Sequence, residues 1–505
     1  MRTLTSTRSS VAVSDLEAVL KGIASDGGLF VDPDLDLLSV KVDDLINKDS
    51  FGIASVVLGT LLSGFEEPES LVRKAYSNKF SCGDVITPVV PLTEGISVLE
   101  LFHGPTSAFK DVALSLLPLL MSQARDKIDP DKEIVILTAT SGDTGKAALE
   151  GFRNVPGIRI LVFYPEEGVS EIQKKQMVSQ KGDNVGVCAV RGNFDDCQTA
   201  VKDAFIKLQD SDQLCGVSLS SANSINIGRL VPQVFYYYSS YVQLVSQKRI
   251  KAGDLIDFVV PTGNFGDILA GYYAKMLGLP IGKLVCASNA NNVLTDFFET
   301  GVYDTHRSFI MTSSPSMDIL VSSNLERLLY YAFCGNRERV EECMSRLKKD
   351  GRYTVPANDL KELKKDFAAY FCDELQTREQ IRKTYKKFGY LIDPHTAVGM
   401  FAAEKYLNEN MDQRHTVVLS TASPYKFTSA ELDALGLVST GSPFDDMRLL
   451  NECTGSKIPE QLLGLERAED RFRDVINREE LVSYVIDFVK KEDRKVDNIR
   501  TGNIC

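Results

Sequence analysis

"EIVILTATSGDTGKAALEGF", residues 133–152, runs from an unbroken apolar stretch through a turn rich in Gly, Ser and Thr into residues with helical spacing. The same succession recurs in "IRILVFYPEEGVSEIQKKQM" (158–177) and "IDFVVPTGNFGDILAGYYAKMLG" (256–278), and "TVVLSTASPYKF" (416–427) supplies a further strand and loop. Short apolar strands alternating with helices imply parallel sheets with helices on both faces, an α/β fold. Ligands in such folds sit beyond the carboxyl ends of the strands, so the loops after the apolar runs are the places to look for chemistry. Two of these loops share one form, Ser141-Gly142-Asp143-Thr144-Gly145 and Thr262-Gly263-Asn264-Phe265-Gly266. Two similarly built halves facing one cleft would look like this, although tight strand-to-helix turns favour these residues by themselves.

The 505 residues, 44% hydrophobic and 25% charged, have ordinary globular composition and length enough for two or three domains. We expect an N-terminal cap domain over 1–95 and a core over 96–440. Within the core, 131–214 reads as a smaller inserted subdomain and 325–390 as a wholly helical insertion. A charged helical tail follows over 441–505. A net charge of −12 repels nucleic acid and anionic membranes, so neither is expected as a partner, and an anionic substrate would need a local basic pocket. Ten cysteines without a CxxC pair and four scattered histidines point to free thiols and no metal site. The N-terminal stretch lacks a signal-peptide core and no run approaches a membrane helix, so a cytoplasmic location is expected.

"LFHGPTSAFKDVALSLLPLL" (101–120) places Lys110 in the first turn of an apolar helix, with Thr106 or Ser107 as N-cap. The positive end of the helix dipole and apolar surroundings both push that ammonium toward the neutral, nucleophilic amine. "PTGNFGD" (261–267) offers converging backbone N–H groups at a helix start but no lysine to reach a triphosphate, which suits one phosphate monoester. "TSGDTGKAA" (140–148) departs from a Walker A loop at Thr140 and Ala147, which weakens a nucleotide-hydrolase reading, and its hydroxyls and N–H groups suit a carboxylate. In "SSANSINIGRLVPQVFYYY" (220–238), Asn223, Ser224, Asn226 and Arg229 form a candidate oxyanion clamp, with Asn226 and Arg229 three apart on one helix face. After the last strand a hydroxyl from Thr421, Ser420 or Ser423 is placed to meet a ring nitrogen without protonating it.

A lysine at a helix mouth, a monophosphate cradle and a neutral partner for a ring nitrogen together point to pyridoxal phosphate. The chain resembles the threonine synthase family within the tryptophan-synthase-β-like, fold type II enzymes. The likeness runs through "TSTR" (5–8), "SDGGLFV" (25–31), "LELFHGPTSAFKD" (99–111), "TATSGDTGKAA" (138–148), "GNFDDCQ" (192–198), "NSINIGRL" (223–230), "PTGNFGDILAGYYAK" (261–275), "DPHTAVG" (393–399) and "STASPYKF" (420–427). Ser9 and Ser25 depart from the family pattern, both in the cap. The resemblance implies two doubly wound parallel-sheet halves flanking a cofactor cleft, with Lys110 as the Schiff-base lysine. It implies that Gly263, Asn264, Phe265, Gly266 and Asp267 form the cofactor phosphate loop, that Thr421 meets the pyridine nitrogen, and that Asp143 lies near the phenolic oxygen. Thr140, Ser141 and Thr144 would surround the substrate carboxylate, and Asn223, Ser224 and Arg229 would hold its phosphate. The implied reaction takes O-phospho-L-homoserine and water to L-threonine and phosphate in a monomer or homodimer. The alternative is a phospholyase giving 2-oxobutyrate, ammonia and phosphate. A P-loop phosphatase and a cofactor-free binding protein are the rivals from other classes.

Overall fold

The computed structural model describes residues 1–490 except Gly168, 209–213, Cys215 and 411–413; residues 491–505 of the expected tail lie outside the described residues. Two sheets carry the architecture. A five-stranded sheet has the spatial order Val475–Ile476, Val185–Val190, Ile158–Pro165, Glu133–Ala139 and Val217–Ser220, parallel throughout. A six-stranded sheet runs Phe367–Phe371, Ile281–Ser288, Ile256–Pro261, His415–Ser420, Ile96–Glu100 and Val89–Pro91, with only the last strand antiparallel. The doubly wound halves expected from the apolar runs are therefore present.

Burial on both faces explains why these strands read as continuous apolar stretches. In the smaller sheet Ile134, Ile136, Ile160 and Val162 face the main core, while Val135, Leu137, Leu161 and Phe163 pack with the helix Phe194–Leu208 and with Leu481, Val485 and Val489. In the larger sheet Phe258 and Val260 face the main core, and Val259, Val285 and Val418 pack under the helix Pro394–Glu409. Among the described residues no helix is long and apolar enough to cross a membrane.

The stretch expected to be wholly helical and the tail expected to be helical both contain strands. Within 325–390, Phe367–Phe371 forms the edge strand of the larger sheet, and Arg352–Thr354 pairs antiparallel with Val302–Asp304. "FAAYF" is too short for its period to stand out among charged helices, and tertiary contacts decide it: Phe367 packs on Phe265, Tyr272 and Phe298. In the tail, Val475–Ile476 adds to the outer edge of the smaller sheet, and that sheet also takes Val217–Ser220 from beyond 131–214.

The helix that begins at Lys110, Lys110–Ile128, contains Pro118. Proline has no N–H, so the Leu114 carbonyl loses its helical donor there. Gly151, on the helix Asp143–Phe152, comes up against that carbonyl, and a Cβ at 151 would lie 1.9 Å from Leu114 O. The Gly151→Ala variant is expected to lose about 2 kcal/mol of stability through overpacking, read as a lower urea midpoint by circular dichroism.

Candidate active site

The carboxyl ends of the two sheets open on one cleft of about 570 Å³. Its walls include Lys110 from one loop, Thr140, Ser141, Asp143 and Thr144 from a second, and Asn223, Ser224 and Arg229 from a third. Gly263 to Asp267 and Thr421 complete the set singled out in the sequence.

Lys110 is the first residue of its helix, but neither Thr106 nor Ser107 caps it; Phe109 holds the cap position with helical angles and no side-chain bond. Asp111, buried in the first turn, instead engages Thr106. Its two carboxylate oxygens accept from the Thr106 N–H at 2.8 Å and the Thr106 hydroxyl at 2.6 Å. Ser107 sits in the left-handed region at φ 59° and its Oγ accepts from Gln461 Nε2 at 2.8 Å. The Phe109 N–H donates to Thr421 O at 2.8 Å, and the Ser423 N–H to Ser107 O at 3.1 Å, so the Lys110 and Thr421 loops are sewn together. Ser423 Oγ caps the following turn and Ser420 Oγ meets the Thr396 hydroxyl at 2.9 Å, which leaves Thr421 as the hydroxyl residue of the three on the cleft wall.

Lys110 Nζ lies 3.3 Å from Ser316 Oγ and 3.7 Å from Asp143 Oδ2. Burial brings its pKa down to about 8, helped by the Arg229 and Lys426 charges and opposed by Asp143. Lys426, wholly buried, approaches Asp143 Oδ1 at 2.5 Å and donates to Thr106 O at 3.0 Å. Gln173 Nε2 adds a bond to the same carboxylate at 2.8 Å. Burial alone would raise the Asp143 carboxyl, but the two lysines outweigh it and hold it well below the usual carboxylate range. Thr140 shapes this loop: its Oγ1 accepts from the Gly142 and Gly145 N–H groups, both at 2.9 Å.

Two places in the cleft suit anions. The helix Gly266–Met276 starts after Phe265, whose φ of 62° is unusual for a bulky residue and is held by its ring packing on Phe298 and Phe367. The loop carbonyls are tied back to the protein, Gly263 O by the Ser322 hydroxyl at 2.8 Å and Asn264 O by the Asn324 N–H at 3.1 Å. The first N–H groups of the helix have no intrahelical acceptor. Asp267 turns its carboxylate toward the hydroxyls of Tyr236 at 2.5 Å and Tyr237 at 2.9 Å, and burial raises it to about 6. Its offering to an anion is its backbone N–H.

The second place is Arg229, 5% exposed, which donates to Ala222 O at 2.8 Å and Thr144 Oγ1 at 3.4 Å. Among the described residues it meets no carboxylate. Its short helix, Ile227–Leu230, starts only after Asn226, which is its cap, accepting from the Gly228 N–H and donating to Val19 O and Ser221 O. Asn226 therefore serves the fold and does not face the cleft.

Sequence reasoning missed Lys426, Ser316 and His395, all at the same cluster. Lys426 carried a signal, a lysine in the loop directly after the strand that ends at Ser420; Ser316 sits among several serines and carried none. The donor set fits pyridoxal phosphate: a buried primary amine of lowered pKa, a helix start bare of acceptors, and a hydroxyl at Thr421.

The pyridoxal-phosphate dependent enzyme family matches residues 86–422, and the threonine synthase C-terminal family matches 396–486. The chain is 41% identical over 439 residues to human threonine synthase-like 1, covering 83% of this chain and 58% of that protein's length. It is 36% identical over 498 residues to the Saccharomyces cerevisiae threonine synthase, covering 92% and 95%. The crystal structure of pyridoxal-phosphate-bound threonine synthase from Brucella melitensis superposes with a TM-score of 0.84 at 35% identity, covering 97% of this chain and 99% of that one.

In protein stripped of cofactor, modification of Lys110 by an amine reagent is expected to be half-maximal near pH 8, the amine being the reactive form above that value and the ammonium predominating below it. In Lys426→Met the half-point is expected to move upward, because one like charge is gone and Asp143 is freed to pair with Lys110. Peptide mass spectrometry across a pH series measures both.

Proposed function

The chain belongs to the threonine synthase family of pyridoxal-phosphate dependent enzymes, and we propose that it converts O-phospho-L-homoserine and water to L-threonine and phosphate. The observation that carries this reading is Arg229, a buried guanidinium with only neutral acceptors among the described residues, in the same cleft as a lysine of lowered pKa and a separate helix start. One anion site suits the phosphate of the cofactor and the other the phosphate of the substrate. Burying a cation without a counter-ion is costly, so a bound dianion relieves it.

Bound pyridoxal phosphate supplies an electron sink beside the amino-bearing carbon of the substrate. The chain's own residues do the rest. Gly263, Asn264, Phe265, Gly266 and Asp267 hold the cofactor phosphate through backbone N–H groups, Thr421 faces its ring nitrogen, and Asp143 remains ionised nearby. Thr140, Ser141 and Thr144 receive the substrate carboxylate. Lys110 Nζ takes a proton from Cα and then from Cβ, returns one at Cγ once the phosphate has left, which makes Cβ open to attack by water, and returns the other at Cα after water has added. A pKa near 8 lets one group both take and return protons near neutral pH. Arg229, with Asn223 and Ser224, holds the phosphate as its bond to Cγ breaks.

The test is to incubate holoenzyme with O-phospho-L-homoserine and quantify phosphate, threonine and 2-oxobutyrate in one sample. Threonine equal to phosphate is the expected result. Phosphate matched by 2-oxobutyrate would replace the synthase by the phospholyase, and release of no phosphate would remove the substrate. Lys110→Ala is expected to abolish turnover, and Arg229→Met to raise KM by about thirtyfold or more.

A further inference from the structure

Ser316 lies on the single turn Pro315–Met317. Its hydroxyl accepts from Lys110 Nζ at 3.3 Å and donates to Asp143 Oδ2 at 3.4 Å, so it bridges the two groups. Its backbone N–H donates to His395 Nε2 at 3.2 Å. For that nitrogen to accept, the ring proton must sit on Nδ1, where Asp393 Oδ1 receives it at 2.7 Å. Asp393 is itself fixed as the cap of the helix Pro394–Glu409, accepting from the His395 and Thr396 N–H groups and from the Thr396 hydroxyl.

The imidazole–carboxylate end of this chain of contacts is buried. His395 and Asp393 are 1% and 0% exposed, and the imidazole packs edge-on to Phe427 with ring centres 5.0 Å apart. On the opposite side the Ser316 carbonyl abuts Gly263, where a Cβ would lie 2.7 Å from that oxygen. Behind the turn, Asp318 accepts from Asn289, Asn291 and Thr312. Among the described residues the other titratable groups facing the pair are Asp318, Tyr390 and the wholly buried Glu431, and burial together with Asp393 pushes Glu431 well above the usual carboxylate range. The Lys110 amine is faced by Asp143, Arg229, Lys426 and Asp267.

An amine that takes protons from neighbouring carbons needs a defined lone-pair direction. That requires an acceptor for its own N–H that does not itself ionise, because a carboxylate in the same place would favour the ammonium. We propose that Ser316 Oγ orients Lys110 Nζ during its proton transfers, and that the Asp393–His395 pair is the positioning device that holds the hydroxyl in place. The proposal rests on Lys110 being the base, and its test is chosen to stand apart from the substrate assignment.

In holoenzyme, Ser316→Ala is expected to lower kcat about tenfold with KM within about twofold, the loss of one hydrogen bond to the reacting group. The pH at which the bound cofactor's absorption changes is expected to shift in the same variant, which a merely structural loss would not cause. Ser316→Thr, which keeps the hydroxyl, should retain most of kcat. His395→Ala should reproduce the loss, and the double variant should be no slower than Ser316→Ala alone, because both act through one hydroxyl. His395→Gln, whose Oε1 can accept from the Ser316 N–H, should recover part of it, and it carries the test with Ser316→Ala if His395→Ala fails to fold. Unchanged kcat and absorption titration in Ser316→Ala would overturn the proposal, as would losses that multiply in the double variant. An absorption shift without turnover of O-phospho-L-homoserine would support Ser316 and remove the substrate reading.

Discussion

Asp143 is a buried carboxylate shared unequally between two lysines, and the cleft is organised around that inequality. Keeping a carboxylate charged away from water requires a close partner, and Lys426 supplies it at 2.5 Å. Lys110, at 3.7 Å, is spared the tight ion pair that would lock it as an ammonium. Its amine is thus held near its working range by burial and by like charges, while Lys426 absorbs the electrostatic demand of the aspartate. The linkage has a definite sign. Asp143 contributes stability that is fully present above the value of an unfolded aspartate, and that contribution is lost only as pH falls through its depressed folded value.

Geometry sustains that balance from both sheets. The loop after Glu133–Ala139 brings Asp143, and the segment after His415–Ser420 brings both Thr421 and Lys426. The loop ahead of Lys110 is stitched to the Thr421 segment by two backbone bonds, and to the C-terminal region by Gln461, which donates to Gly104 O at 2.9 Å as well as to Ser107 Oγ. A displacement of any one loop would therefore move the charges of the others, and the cluster behaves as a single piece.

Much of this was legible beforehand. Strands buried on both faces announce themselves as apolar runs, and the glycines of the 262–266 turn mark a backbone that approaches something closely. Lys110 was conspicuous because a charge at an apolar helix mouth asks for a reason. What stayed hidden has a common physical cause: it depends on contacts between distant parts of the chain. Ser316 is one serine among several until His395 orients its backbone. Asn226 and Arg229 looked equivalent on one helix face until the helix started at Ile227, leaving one as a cap and the other in the cleft. The N-cap expected at Thr106 or Ser107 did not form, because Thr106 is held by Asp111 and Ser107 Oγ by Gln461, contacts that spacing alone does not weigh. The edge strands Phe367–Phe371 and Val475–Ile476 take their conformation from the neighbours they pair with.

The strand Val475–Ile476 also bears on the order in which the molecule is made. It closes the outer edge of the smaller sheet against Val185–Val190, and residues 481–489 then cover the apolar face beneath. Both leave the ribosome long after the strands they protect. Until they do, that sheet presents an open edge and an apolar face only partly covered by the helix Phe194–Leu208, the features that invite pairing with other chains. Completion of the smaller half therefore waits on residues 475–489, and a nascent chain stalled short of residue 475 is left with that edge and face open.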